Sequence, residues 1–306
     1  MKEKLSEQVL EVIIFFDLLN YPLTFLEIGK YLSVMVLAKE IKEVLDQLIK
    51  ENKVQQSEGY YFLGGREVLV SQRKMRYALA GDKMIKARYW ARVLSFLPFV
   101  RAVAVYSSLA LLNSRADGDI DFFIVAQKGR IWTARFFVNS LLKICGLRPT
   151  ASISQNKICA SYWVDESHLD LSAVNKGQKD FFYLYGDANF YFLAGLDVAK
   201  KYFLDNQWIK ANMPNWQLTY PAVSSEFQIK IRAWLEKMAN WIKESFFNEI
   251  QMRILPERYK KIMNQDTRVV INQFMIKLHD NDKSEEYNKE MNNCLFKIKN
   301  DEKVAS

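Results

Sequence analysis

Apolar residues recur at helical spacing from residue 6 to residue 20 and stop at Asn20-Tyr21-Pro22, which predicts an opening helix. Thr24, with Glu27 three residues on, predicts a capped second helix over "FLEIGKYL". Leu37, Ile41, Val44, Leu45, Leu48 and Ile49 share one face of a third. "VQQSEGYYFL" then gives two short strand-like pieces around Ser57-Glu58-Gly59, a hairpin signal. These elements make residues 1–65 a first domain. Residues 66–98 read as a long helical linker, broken or bent near Gly81.

After Pro98 the pattern changes to strands, "RAVAVYS", "DIDFFIVAQ" and "KICASYWV". Between the second and third lies "RIWTARFFVNSLLKICG", apolar at helical spacing and closed by Gly146. Residues 99–180 are therefore expected to form a mixed strand–helix–strand core, and the fold class is α+β. Residues 181–280 read as helical, first over "DANFYFLAGLDVAKKYFLDNQWI" and then over 225–262. In the latter, Phe227, Ile231, Trp234, Leu235, Met238, Trp241 and Ile242 share one face, a pattern of core or partner seam. Residues 281–306 read as a polar, frayed tail. A chain of 306 residues has room for two or three domains, each with its own core.

Composition narrows the function classes. Glu11 and Asp17 interrupt the N-terminal apolar stretch, so it does not read as a signal peptide. No run of eighteen apolar residues occurs, so no membrane span is expected. Cys145, Cys159 and Cys294 are scattered and only His168 and His279 could assist them. This predicts neither a zinc site nor a disulfide framework, a cytoplasmic setting, and structural roles for both histidines.

The three helices and hairpin of residues 1–65 resemble a winged helix-turn-helix, with "YPLTFLEIGKYL" similar to that family's second helix. DNA binding is the usual implication. Yet on the third helix Lys39, Lys42, Lys50 and Lys53 are balanced by Glu40, Glu43, Asp46 and Glu51, and the hairpin tip offers Glu58 and no cation. Such a face has little with which to neutralise phosphates, so sequence-specific DNA is the less expected partner and docking the more expected role. The formal net charge of +8 is concentrated elsewhere. Residues 66–92 carry eight Lys or Arg against Glu67 and Asp82, which reads either as a solvated helix face or as a track for RNA or another polyanion.

The candidate chemistry lies in "VAVYSSLALLNSRADGDIDFFIVAQ". On a strand, Asp119 and Asp121 project to the same side while Ile120 faces a core. Two carboxylates so close repel unless a cation or water intervenes, and Mg2+ (or Mn2+), hard and oxygen-seeking, is the natural partner. Asp-Gly is also a common turn dipeptide, so the pair can equally be the solvated start of a hairpin strand. Ser107 and Ser108, following one strand and opening a helix, form a phosphate-binding corner.

This arrangement resembles the polymerase-β-like nucleotidyltransferase superfamily, whose signature is a Gly-Ser pair, a spacer of this length, and Asp-x-Asp on the next strand. The resemblance is specific over residues 103–125. It implies a nucleotidyltransferase-like mixed sheet core flanked by an N-terminal winged helix and C-terminal helices. It also implies magnesium-dependent transfer of a nucleoside monophosphate from a nucleoside triphosphate to a hydroxyl of RNA, protein or a small molecule. Ser107 and Ser108 would contact the triphosphate, Asp119 and Asp121 would ligate metal, and Arg115 or Lys128 would touch phosphate. Two departures stand out. Ser107 replaces the family's glycine, and "KICASYWV" contains no third carboxylate. Asp165 is the nearest catalytic substitute, and is equally placed to cap a following helix. The alternative is a degenerate core that, with the winged helix, acts as a nucleic-acid or protein binding module.

Overall fold

Capping and turn chemistry fix the first elements of the chain. The computed structural model describes residues 2–150, 153–174, 180–219, 224–280 and 283–304. Helix α1 (Lys2–Leu18) leads through β1 (Leu23–Thr24) to α2 (Phe25–Tyr31), α3 (Ala38–Lys50), β2 (Val54–Ser57) and β3 (Tyr60–Leu63). Thr24 caps α2 as expected: its side chain accepts from the Glu27 amide, and Glu27 reaches back to the Thr24 amide at 2.8 Å. At the β2–β3 turn both Glu58 (φ 50°) and Gly59 (φ 84°) are left-handed, the geometry that matches a tight hairpin to strand twist. The three strands form one antiparallel sheet in the order β1-β3-β2.

Helix α4 (Val68–Leu94) runs unbroken through Gly81, where a break or bend was expected. It leads into β4 (Val100–Val105), α5 (Ser107–Ala110), β5 (Ile120–Ala126), α6 (Ile131–Ile144) and β6 (Ile158–Asp165). Next come α7 (Phe181–Ala188), β7 (Tyr191–Ala194), α8 (Leu196–Asp205), α9 (Gln207–Asn212), α10 (Glu226–Ala239), α11 (Glu244–Arg253) and α12 (Glu257–Ile262). The last elements are β8 (Val269–Ile271), β9 (Met275–Leu278) and α13 (Ser284–Val304). The class is α+β. The six-stranded sheet is mixed, in the order β7-β4-β5-β6-β9-β8. Only β5 and β6 run parallel in it, as their connection through α6 requires.

The sheet buries both faces. Ile120, Phe122 and Ile124 pack with Ala80, Ala87 and Ala91 of α4 and with Val138 and Leu142 of α6. Phe123, Val125 and Tyr162 face the other way, toward Phe190, Phe192 and Tyr202. That second layer is continuous with the N-terminal unit: the Tyr185 ring lies 4.8 Å from that of Phe15 and 5.2 Å from that of Tyr31. The expected independent cores are thus joined, because α7 offers an aromatic side chain to the N-terminal helices.

Three expectations are corrected here. The segment read as helical around "NFYFLAG" contains β7, the edge strand beside β4. Its exit needs Gly195 (φ +91°), where a Cβ would stand 2.4 Å from the Arg101 carbonyl oxygen. The expected frayed tail is instead α13 over its described residues, with Met291 buried and Leu295 packed into the core shared with α1. Finally, residues 225–262 break into α10, α11 and α12. Phe227, Trp234, Met238 and Trp241 point outward, Trp241 at 81% exposure, which goes against the core alternative for them, while Ile242 packs against the core.

Candidate functional site

The amino ends of β5 and β6 and the carboxyl end of β4 meet at one end of the sheet's central strands. Tyr106 is extended (φ −138°), and the chain then turns sharply because Ser107 adopts φ 59°. That conformation is nearly free for glycine but costly for a residue with a Cβ. The loop from α5 to β5 is tied down at several points. The Asn113 amide donates to the Ser108 carbonyl at 2.8 Å, and Asn156 N–H donates to the Gly118 carbonyl at 3.1 Å. Lys83 of α4, 5% exposed, donates to the carbonyls of Arg115 at 2.5 Å and Gly118 at 2.6 Å. The Tyr21 hydroxyl proton is shared between the Glu27 carboxylate at 2.6 Å and the Leu111 carbonyl at 3.0 Å, so the N-terminal unit also braces this loop.

Asp119 and Asp121 emerge side by side from this frame. Burial pushes the Asp121 carboxyl up to about 8; the charge of Asp119 adds to that rise and the Ser107 hydroxyl, bonded to the carboxylate, opposes it. Asp119 is also raised by burial, with the Lys83 ammonium pulling the other way. In the parallel pairing Asp121 stands opposite Cys159, and a register shift follows between Asp121 and Phe123, with β6 carrying the extra residue. Bulges of this kind re-aim side chains. Ser161 bonds the Cys159 thiol, which burial pushes up to about 12. One donor atom each from Asp119, Asp121 and Cys159 lies within 4.8 Å of the others. Beside them the Tyr106 hydroxyl is hydrogen-bonded to His279 Nε2 at 2.6 Å and to Ser161 Oγ at 3.1 Å.

Of the residues singled out in the sequence, Ser107, Ser108, Asp119 and Asp121 come together here. Arg115 borders the site but is exposed and engaged with Asp117 at 3.0 Å. Lys128 and Asp165 do not join them. Asp165 pairs in register with Ala126, five residues along β5 from Asp121, about 16 Å away at strand spacing. It is buried, accepts from the Gly129 amide at 2.6 Å and from the Ser167 amide at 2.8 Å, and closes a turn. A turn rather than a helix directly follows it, so neither a catalytic nor a helix-capping role fits. Lys128 is exposed at this far end, its amide donating to Glu166. Sequence reasoning missed Cys159, Lys83, Tyr106 and His279. The β5–β6 register brings in Cys159, the crossing of α4 brings in Lys83 and the β6–β9 pairing brings in His279, none of them written in local spacing, whereas Tyr106 directly precedes Ser107.

The basic segment 66–92 is not a free track. Arg66 pairs with Asp17, Arg73 with Glu27 and Lys74 with Glu58. Arg76 donates to the Asn20 carbonyl, Lys86 to that of Asn156, and Arg88 to the Tyr191 hydroxyl. With Lys83, these cations staple α4 to the rest of the molecule. A separate cleft of about 490 Å³, lined by Gly129, Trp132, Glu244 and Met252 among others, lies at the far end of the sheet. There Glu244 accepts from the Thr133 amide at the start of α6, so a protein carboxylate already fills that helix terminus.

The donor set can be tested against the expected ion. Two half-buried carboxylates suit magnesium or manganese, whereas a thiol is foreign to magnesium. No protein-family model matches the chain, and no curated protein or solved structure matches it. No described helix is long and apolar enough to cross a membrane.

Proposed function

We propose that residues 100–165 form a nucleotidyltransferase-like core that moves a nucleoside monophosphate from a nucleoside triphosphate to a hydroxyl acceptor. The observation that carries this reading is the meeting of the Ser107 turn with the Asp119–Asp121 pair, the Ser107 hydroxyl bonded to Asp121. Ser107 offers its turn amide to the triphosphate, and Ser108 its amide and hydroxyl. Asp119 and Asp121 would hold Mg2+ or Mn2+, which when bound would neutralise phosphate charge and activate the attacking hydroxyl. Lys83 and Tyr21 hold the loop between serines and aspartates, which keeps the two halves of the site in register. The N-terminal unit is read as a winged helix used for docking. In support, the hairpin tip carries no cation of its own, and its Glu58 takes up the Lys74 ammonium of α4, so this face has little positive charge to give to phosphates.

One observation favours a second reading, a degenerate core that with the winged helix acts as a nucleic-acid or protein binding or regulatory module. Where a third carboxylate would complete the site, β6 offers Cys159.

Melting of wild type and Asp119→Ala with each nucleoside triphosphate, with magnesium or manganese and with EDTA, separates the readings. A ligand that binds only the folded state raises Tm by mass action. A metal-dependent shift lost in Asp119→Ala, followed by label transfer from the α-phosphate, supports the enzyme. A shift without transfer to any acceptor shows triphosphate binding without turnover and goes against the enzyme. Absence of any shift in a cooperatively melting protein rejects the enzyme and favours the degenerate binding module.

A further inference from the structure

We propose that Cys159 completes a three-donor site with Asp119 and Asp121 that takes a thiophilic divalent ion of the zinc and cobalt class in preference to magnesium. This rests on the reading of the aspartate pair as a metal site, and it reverses the sequence-based expectation that the scattered cysteines hold no zinc.

The geometry comes from the β5–β6 pairing and from the bonds that pin its start. Parallel pairing sets Cys159 directly across from Asp121. The amino ends of both strands are pinned to each other, Ile120 N–H donating to the Lys157 carbonyl at 2.8 Å and Asn156 N–H to that of Gly118. The donor atoms consequently converge to within 4.8 Å. A four-coordinate zinc centre places its oxygen and sulfur donors about 3.6 Å apart, from metal–oxygen and metal–sulfur bonds of about 2.1 and 2.3 Å. Side-chain rotation about Cβ closes the difference without moving a strand. All three residues are partly exposed, so the cluster is not sealed from solvent, and a fourth ligand would be water or substrate.

Donor chemistry decides the ion. Thiolate binds zinc and cobalt firmly and magnesium hardly at all, while carboxylate serves both classes. Magnesium would meet only two protein ligands here and would depend on substrate phosphates for the rest. A zinc-class ion meets three, so it binds without nucleotide. On binding, the Cys159 S–H bond breaks, a sulfur–metal bond forms and the proton leaves to solvent.

The test uses the full chain without nucleotide, with Cys145 and Cys294 changed to Ser so that Cys159 is the sole thiol. Cobalt is titrated and the sulfur-to-cobalt charge-transfer absorption followed, with Tm read against zinc and magnesium separately. The expected result is a band saturating at one equivalent and a larger shift with zinc than with magnesium. Cys159→Ser should lose the band. Outer-shell changes alone cost about tenfold to a hundredfold in metal affinity, and loss of a direct ligand should cost at least as much cobalt affinity. Cys159→Asp should lose the band and turn the preference toward magnesium. In the unmutated chain, zinc but not magnesium should protect Cys159 from alkylation, read by peptide mass, which keeps the test valid if a variant misfolds. Metal shifts that depend on Asp119 but show neither band nor protection would overturn the role of Cys159 and leave the aspartate site standing. No shift, band or protection with any of the three metals would overturn both.

Discussion

The Lys83 ammonium, buried under α4, donates to the carbonyl of Gly118 at 2.6 Å, one residue before Asp119. It spends a charged donor on the backbone of the loop that delivers the aspartates, and a second bond to the Arg115 carbonyl closes the clamp. Lys83→Met keeps the stem packing and removes the charged donor from both carbonyls, leaving the Gly118 carbonyl to the Asn156 amide and the Arg115 carbonyl to the Gly118 amide. Losing hydrogen bonds to a charged group costs about 1.5–3 kcal/mol, so its urea midpoint should fall by a matching amount with unchanged m. Hydrogen exchange should quicken at the amides of Gly118, Ile120 and Asn156, which the clamp protects. A midpoint shift without that local signature would place the effect elsewhere on α4.

Ser107 holds a left-handed conformation (φ 59°) while its hydroxyl bonds Asp121. The strain and the bond can be separated. Ser107→Ala keeps the Cβ and loses the bond, whereas Ser107→Gly loses both. A left-handed residue with a side chain costs about 1–2 kcal/mol, so the glycine variant should be the more stable of the two by about 1 kcal/mol in chemical melts. Ser107→Gly should also raise nucleotide-dependent thermal stabilisation above wild type, because backbone can then approach phosphate closely. Equal stability of the two variants would mean that the turn is not strained in solution.

Much of this edge was legible in the sequence, and the limits are physical. Strands β4 to β6 announce themselves as apolar runs, and Thr24–Glu27 as a reciprocal cap, because those signals are local. Strand β9 is hidden because Lys277 is buried within it, donating to Tyr183 at 2.8 Å, and a lysine in a short apolar run reads as solvent-facing. Helix α13 is hidden because its buried positions, Met291 and Leu295, are diluted by charged neighbours. Cys159 could not be assigned to the site because parallel register links residues with no fixed sequence spacing. Likewise the cations of α4 look like a solvated face until the partners supplied by distant segments are known.

The raised carboxyl of Asp121 makes a signed pH prediction for the metal-free protein. Its ordinary value is 3.8 and its folded value about 8, so the folded state holds this proton more tightly than the unfolded chain. Its contribution favours folding at low pH and is lost as pH rises from 3.8 toward 8, at a slope of at most about 1.4 kcal/mol per pH unit. Asp121→Asn removes that loss. The Tm of the variant relative to wild type should therefore climb across this window and level off above it. Buried Asp187, also pushed up to about 8, is present in both proteins and cancels in the difference. A flat difference would mean that Asp121 titrates normally.

Arg73 links the two halves of the molecule and gives the largest predicted loss. Its guanidinium lies 3.4 Å from the centre of the Tyr21 ring and pairs with Glu27 at 2.9 Å. The same Glu27 carboxylate accepts from Tyr21 OH at 2.6 Å and helps cap α2. Burial works against both charges, raising Glu27 and pulling Arg73 down to about 9, so each depends on the other. Removing one member of a buried pair costs about 3–5 kcal/mol, and Glu27, a quarter exposed, belongs at the low end. Arg73→Met should therefore destabilise by about 3 kcal/mol in chemical melts. Adding Glu27→Gln should restore part of that loss, because the second change removes the stranded charge while an amide still serves the cap. If the double variant is no more stable than Arg73→Met, the loss comes from packing over the Tyr21 ring rather than from charge.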